Sequence, residues 1–165
     1  MNNKFTLIPS FIIEKSSINK LICCNELTSR YGLTLSQEDA LELVKTHSHS
    51  LKNNGRVEFG NKIIEKLIFE FCDSPFISQF NYSSTLNELI EIFYYFKNET
   101  LDEISDDELL SLMKDYFDTT CGGSTELLQN RELETLAQNI RFGIKKYADV
   151  SENYYNYLDA EDYDG

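Results

Sequence analysis

Proline and glycine are scarce in this chain. It holds 2 Pro and 7 Gly in 165 residues, where average usage of roughly 5% and 7% would place about 8 and 12. A chain so poor in breakers has few tight turns and long stretches in which every residue can keep a helical hydrogen bond. That favours long helices and argues against a turn-rich β-sandwich. One domain is expected at this length, and 41% apolar residues supply a sizeable core.

The apolar spacing places the helices. Ser16 and Ser17 are suited to cap a helix that carries Ile18, Leu21, Ile22 and Asn25 along one side. It should end near Tyr31, with Gly32 in the left-handed position that follows. Ser36-Gln37-Glu38-Asp39 is close to a capping box, ahead of Ala40, Leu43, Val44, His47 and Leu51 at helical spacing. Asn53-Asn54-Gly55 stops that helix. Ile64, Leu67, Ile68 and Phe71 form the next stripe, and Asp73-Ser74-Pro75 predicts a short helical turn. Leu86, Leu89, Ile90, Phe93 and Phe96 share one face of the most apolar segment, with Ile92, Tyr94 and Tyr95 partly covering the other. A helix apolar this far round belongs at the centre. Ser105-Asp106-Asp107-Glu108 reads as a full capping box before Leu109, Leu112, Met113, Tyr116 and Phe117. After the loop at Cys121–Ser124, a last helix or pair of helices carries Leu127, Leu128, Leu133, Leu136, Ala137 and Ile140, running to about Tyr147.

Two segments read differently. Residues 4–13 look extended, because Pro9 keeps Ile8 away from helical angles. Arg56 to Gly60 is too short for a helix, and Val57 and Phe59 alternate with Glu58, as in a minor strand suited to pair with that arm. The expected fold is mainly α: a compact bundle of five to seven helices with a short extended N-terminal segment.

Charge narrows the function. Lys and Arg number 15 and Asp and Glu 28, a net −13. Nucleic-acid binders need a basic footprint, and here no basic run exceeds Lys145-Lys146. The same field opposes docking on an anionic membrane. A protein partner, and in particular a basic one, suits it better. No segment approaches the roughly 20 apolar residues of a membrane span. The apolar start, Phe5 to Ile13, is interrupted by Pro9 and Ser10 and followed by Glu14 and Lys15, unlike a signal peptide. A cytoplasmic protein with reduced thiols at Cys23, Cys24, Cys72 and Cys121 is expected.

Residues 149–165 differ in kind from the rest. They hold six acids (Asp149, Glu152, Asp159, Glu161, Asp162, Asp164), no base, and Tyr154, Tyr155, Tyr157 and Tyr163. The body at 1–148 then carries −7, so nearly half the net charge lies in the tail. The division expected is a helical domain over 1–148 and a loosely ordered acidic tail over 149–165.

Gly32-Leu33-Thr34-Leu35-Ser36 running into Asp39-Ala40-Leu41-Glu42-Leu43, with Gly55-Arg56-Val57-Glu58-Phe59, Glu70-Phe71-Cys72-Asp73-Ser74-Pro75 and Leu89 to Glu99, resembles a family of small acidic bacterial proteins known only as a domain of unknown function. The likeness spans most of residues 30 to 145 and the acidic C-terminus. It implies no activity, cofactor or catalytic residue.

Three sets of residues are candidates for chemistry. Cys121-Gly122-Gly123-Ser124 places two glycines before a helix start, where backbone N–H groups can converge on an anion and a thiol pKa can fall. The loop lacks the lysine and spacing of a phosphate-binding loop, and the plainer reading is a connector with Ser124 as N-cap. The four cysteines with His47 and His49 suggest a metal, but structural zinc ligands come in pairs two to four residues apart. Cys23 and Cys24 are adjacent, Cys72 and Cys121 stand alone, and the two histidines diverge by about 200° on a helix. No metal and no cofactor is expected. Third, Tyr154, Tyr155, Tyr157 and Tyr163 among carboxylates suit a segment that orders on a partner, or simply one that keeps the chain soluble. The reading favoured is a non-enzymatic regulatory or adaptor protein that binds a protein partner through an acidic surface. The alternative is a small enzyme or ligand-binding protein using the Cys121 loop.

Overall fold

The computed structural model of the chain describes residues 10–143. In order these form α1 (Ser10–Cys23), α2 (Asn25–Thr28), a 3₁₀ turn (Ser29–Tyr31), α3 (Gln37–Asn53), α4 (Lys62–Phe71), α5 (Tyr82–Glu99), α6 (Asp106–Asp118), α7 (Thr125–Leu127), a π-helical turn (Leu128–Glu132) and α8 (Leu133–Arg141). Six of these helices have nine residues or more, and no strand occurs among the described residues. The fold is an all-α bundle.

Helix α5 lies at the centre, packed against α3, α4, α6 and α8. Its Leu86, Leu89, Ile90, Phe93, Tyr94 and Phe96 are all fully buried or nearly so. Burying each such side chain contributes about 1.5–3 kcal/mol, so α5 is where most of the fold converges. One core cluster runs from Leu21 to Ala137 and joins the stripes of α3, α4, α6 and α8. Phe71, Phe117 and Phe76 stack edge to face at its α4–α6 side, with centroids 5.4 Å and 6.3 Å apart, the offset arrangement aromatic quadrupoles prefer.

The caps exchange the strengths expected of them. Ser36 makes both halves of a capping box: its side chain accepts from the Asp39 N–H at 3.0 Å and Asp39 accepts from the Ser36 N–H at 3.2 Å. At Ser105 the bond described is the forward half, from the Glu108 N–H. Gly32 is left-handed at φ +77°, as anticipated.

Four local expectations are corrected. Residues 10–13 belong to α1, so the extended segment does not reach Ile13; residues 4–9 lie outside the described residues. Proline constrains the residue before it and is accepted at a helix start, so nothing bars a helix from Ser10 onward. Ser16 and Ser17 accordingly lie within α1 rather than capping it, and the helix breaks at Cys24 before α2. Arg56–Gly60 is not a strand. Its backbone folds back, with the Arg56 N–H bonded to the Leu51 carbonyl at 2.9 Å, and residues 10–13 of the expected pairing partner are helical. Last, α8 stops at Arg141, with Gly143 left-handed at φ +75°. At Pro75 the short turn expected is a single hydrogen-bonded one, from the Ile77 N–H to the Ser74 carbonyl.

Candidate functional site

The longest helices, α3 and α5, run side by side and carry two polar features between them. Thr46 donates to Asn87 at 2.5 Å toward one end, and Asn98 donates to the Asn54 carbonyl at 2.9 Å at the other. His47 continues the buried stripe of α3 after Ala40 and Leu43, and Tyr94 lies on the inner side of α5. Both must find polar partners inside the fold.

They find each other and Glu58. The Tyr94 hydroxyl donates to Glu58 Oε1 at 2.6 Å, and His47 Nε2 lies 3.0 Å from that hydroxyl and 3.4 Å from the carboxylate. Because the one phenol proton is used toward Glu58, His47 must offer Nε2–H to Tyr94, which fixes the tautomer of the neutral ring. Burial holds His47 below its ordinary pKa and outweighs the pull of Glu58 in the other direction. Burial first, and Glu58 second, push the Tyr94 phenol well above its usual range. Glu58 is delivered by the loop that the sequence suggests is a strand. Gly55 turns at φ +65°, Arg56 clamps Asp102 at 2.8 Å and Asn98 at 2.6 Å, and Glu58 is left pointing inward. A cavity of about 470 Å³ opens over His47 and Glu58, with Glu14, Lys45 and Asn61 in its walls. The trio can hold and pass a proton, and it ties the 55–60 loop to the two central helices.

On the other side of α3, a groove of about 580 Å³ lies between α3, α5 and the π turn. Glu88, Glu91 and Tyr95 line it from α5, His49 and Asn53 from α3, and Gln129 from the π turn. Residues 88, 91 and 95 fall at helical spacing on one exposed face. The wider turn at Leu128–Glu132 keeps Leu128 fully buried while Gln129 faces out. Thr125 donates to Glu88, so α7 braces the groove's acidic wall. His47 and His49 line different cavities, the divergence their spacing requires.

The Cys121–Ser124 loop is engaged inward. The N–H groups of Cys121, Gly122, Gly123 and Ser124 donate to the carbonyls of Tyr116, Thr119, Phe117 and Cys121 at 2.7–3.3 Å. Gly122 and Gly123 are left-handed at φ +56° and +83°, and a side chain on Gly123 would run into Phe76. Cys121 is 4% exposed, and burial raises its thiol pKa, the opposite direction from an activated thiolate. Ser124 caps α7 through the Leu127 N–H. Burial likewise pushes the Cys24 thiol up to about 11. Cys24, Cys72 and Cys121 are buried, Cys23 is exposed, and all four are free. Among the described residues no cluster of three or more His, Cys, Asp or Glu is arranged to hold a metal, and no helix is long and apolar enough to cross a membrane. Tyr154, Tyr155, Tyr157 and Tyr163 lie outside the described residues.

The sequence signal for the trio is partial: His47 reads as a core histidine, whereas Tyr94 reads as part of the second face of α5 although it is fully buried, and Glu58 lies 36 residues from Tyr94. The acidic wall of the groove is legible as helix spacing, whereas its facing wall is not. Neither a curated protein nor a solved structure matches this chain significantly. A family model does, over residues 20–146, and the chain belongs to that family of unknown function, DUF6323.

Proposed function

We propose that the chain is a non-enzymatic regulatory or adaptor module of the cytoplasm that takes a basic segment of a protein partner in the groove between α3, α5 and the π turn. The observation that carries this reading is the groove's wall: Glu88 and Glu91 are exposed carboxylates in line with a Tyr95 ring that is 46% exposed, one and two turns further along α5. Two carboxylates beside an amphipathic ring on one helix face suit a lysine or arginine side chain, which brings charge at its head and an apolar stem below it. A net charge of −13 favours a protein ligand of this kind over nucleic acid or an anionic membrane. The Cys121 loop gives less support to a ligand site, because its N–H groups are bonded within the fold.

The test is affinity capture from lysate of the source cell, with the wild-type chain and the Glu88→Lys/Glu91→Lys variant as parallel baits, read by mass spectrometry. Both positions are exposed, so the variant keeps the fold. A protein held by the wild type, lost from the variant and released by salt is the expected result. Equal recovery on both baits, or no specific protein on either, would sink the reading.

A further inference from the structure

A second concavity carries the opposite charge. Between the end of α1 and the start of α4, an open groove of about 650 Å³ is lined by Phe59, Phe69 and Cys23 and by Lys20, Lys62 and Lys66. Glu65 is the carboxylate in its wall. Three lysines against one glutamate give a local +2 on a chain whose total is −13. Lys66 pairs with Asp107 at 2.8 Å, whereas Lys20 and Lys62 make no ion pair among the described residues. Phe59 is 95% exposed and Phe69 46%, a large apolar area to leave in water beside unpaired cations. The surface suits a segment bringing aromatic rings and carboxylates together.

Residues 149–165 have that chemistry: four tyrosines, six acids and no base. The position of the exit point agrees. Arg141, two residues before the last described residue, pairs with Glu99 at the end of α5 at 2.7 Å. Asp107, which holds Lys66 of the groove, is the second residue of α6. Only the short connection over 100–105 separates α5 from α6, so exit point and groove share one end of the bundle. The 22 residues from 144 to 165 reach up to about 70 Å when extended, ample for that distance.

We propose that the Phe59–Phe69 groove docks the acidic, tyrosine-rich tail of the same molecule. The tyrosines pack on the two phenylalanines, and the carboxylates meet Lys20 and Lys62. Tethering sets an effective concentration near the millimolar range, so weak contacts hold the tail and a stronger acidic competitor or salt releases it. The docked tail covers Cys23.

Cys23 makes the test direct, because it is exposed and the other three cysteines are buried. The measurement is the rate of iodoacetamide alkylation at Cys23 in the full chain. Two variants are compared with it: Lys20→Glu/Lys62→Glu in the groove and Asp159→Asn/Glu161→Gln/Asp162→Asn/Asp164→Asn in the tail. Lys20 and Lys62 are exposed, and circular dichroism melts check that each variant is folded. Wild type should react several-fold slower than either variant at low salt, with the difference gone at high salt and independent of protein concentration. The groove variant is a stringent control, since added carboxylates by themselves disfavour the thiolate and would slow the reaction. Equal rates for wild type and the tail variant at low salt would overturn the proposal. Protection that grows with protein concentration would place the tail of a second copy in the groove and overturn the intramolecular assignment.

Discussion

Two glycine-bearing connections in this bundle make opposite use of their freedom. The loop at Cys121–Ser124 turns every backbone N–H inward, buries its cysteine and lays Gly123 against the Phe76 ring above the Phe71–Phe117 stack. The loop at Asn54–Gly60 turns Arg56 and Glu58 onto the helices and leaves Val57 and Phe59 at 84% and 95% exposure. The first stands out in the sequence because Gly-Gly before a helix resembles an anion cradle. The second reads as an unremarkable short alternation. What separates them is where the hydrogen bonds go: a loop with its N–H groups already bonded has none for a ligand, whereas a loop fixed by Arg56 and Glu58 can hold apolar side chains out in water.

Gly123→Ala should destabilise by roughly 2–4 kcal/mol, combining left-handed strain with collision against Phe76. Gly122→Ala, left-handed but with open space around it, should cost only about 1–2 kcal/mol. Urea unfolding of the pair measures the difference; equal losses would mean that the close packing on Phe76 contributes nothing.

The next test is on the inner anchor of the other loop. Tyr94→Phe removes the hydroxyl shared by His47 and Glu58 and should cost about 1–3 kcal/mol in the same assay. His47 adds a pH signature. Its folded pKa is lowered by burial, so the unfolded chain binds the proton first. Stability from this group is therefore complete above the unfolded value of about 6.5 and declines as pH falls below it. The thermal midpoint should drop over that range in the wild type, and the drop should shrink in His47→Gln. A parallel pH profile in the two proteins would show that the trio does not couple to folding.

The smallest effect belongs to the outward side of the same loop. In the chain whose tail acids are neutralised (Asp159→Asn/Glu161→Gln/Asp162→Asn/Asp164→Asn), Phe59→Ser should change stability by no more than about 0.5 kcal/mol, since the ring is 95% exposed in the fold described. A loss of several times that in urea would mean that the body itself packs the ring.

Much of the architecture was readable from local chemistry. The stripes Ala40-Leu43-His47 and Ile64-Leu67-Ile68-Phe71 are buried as their spacing requires. Gly32 is left-handed and Ser124 caps, because those outcomes depend on residues within one turn. Misreadings came where a neighbour distant in sequence decides. A lone alternation, Val57-Glu58-Phe59, has no strand to pair with among the described residues, and Arg56 finds Asp102 46 residues on. The cysteine loop likewise takes its character from Phe76 and Phe117 on other elements.

By itself, then, the sequence determined the helical class, the positions of the apolar faces, most helix ends and the acidic field, all of which follow from periodicity, caps and charge counted along the chain. The tertiary structure alone decided that His47, Glu58 and Tyr94 meet, that Glu88, Glu91 and Tyr95 gain a facing wall from α3 and the π turn, and that Lys20, Lys62, Phe59 and Phe69 share one groove. The physical reason is that side-chain hydrogen bonds and grooves form between elements, and which elements become neighbours is set by how the whole core packs around α5.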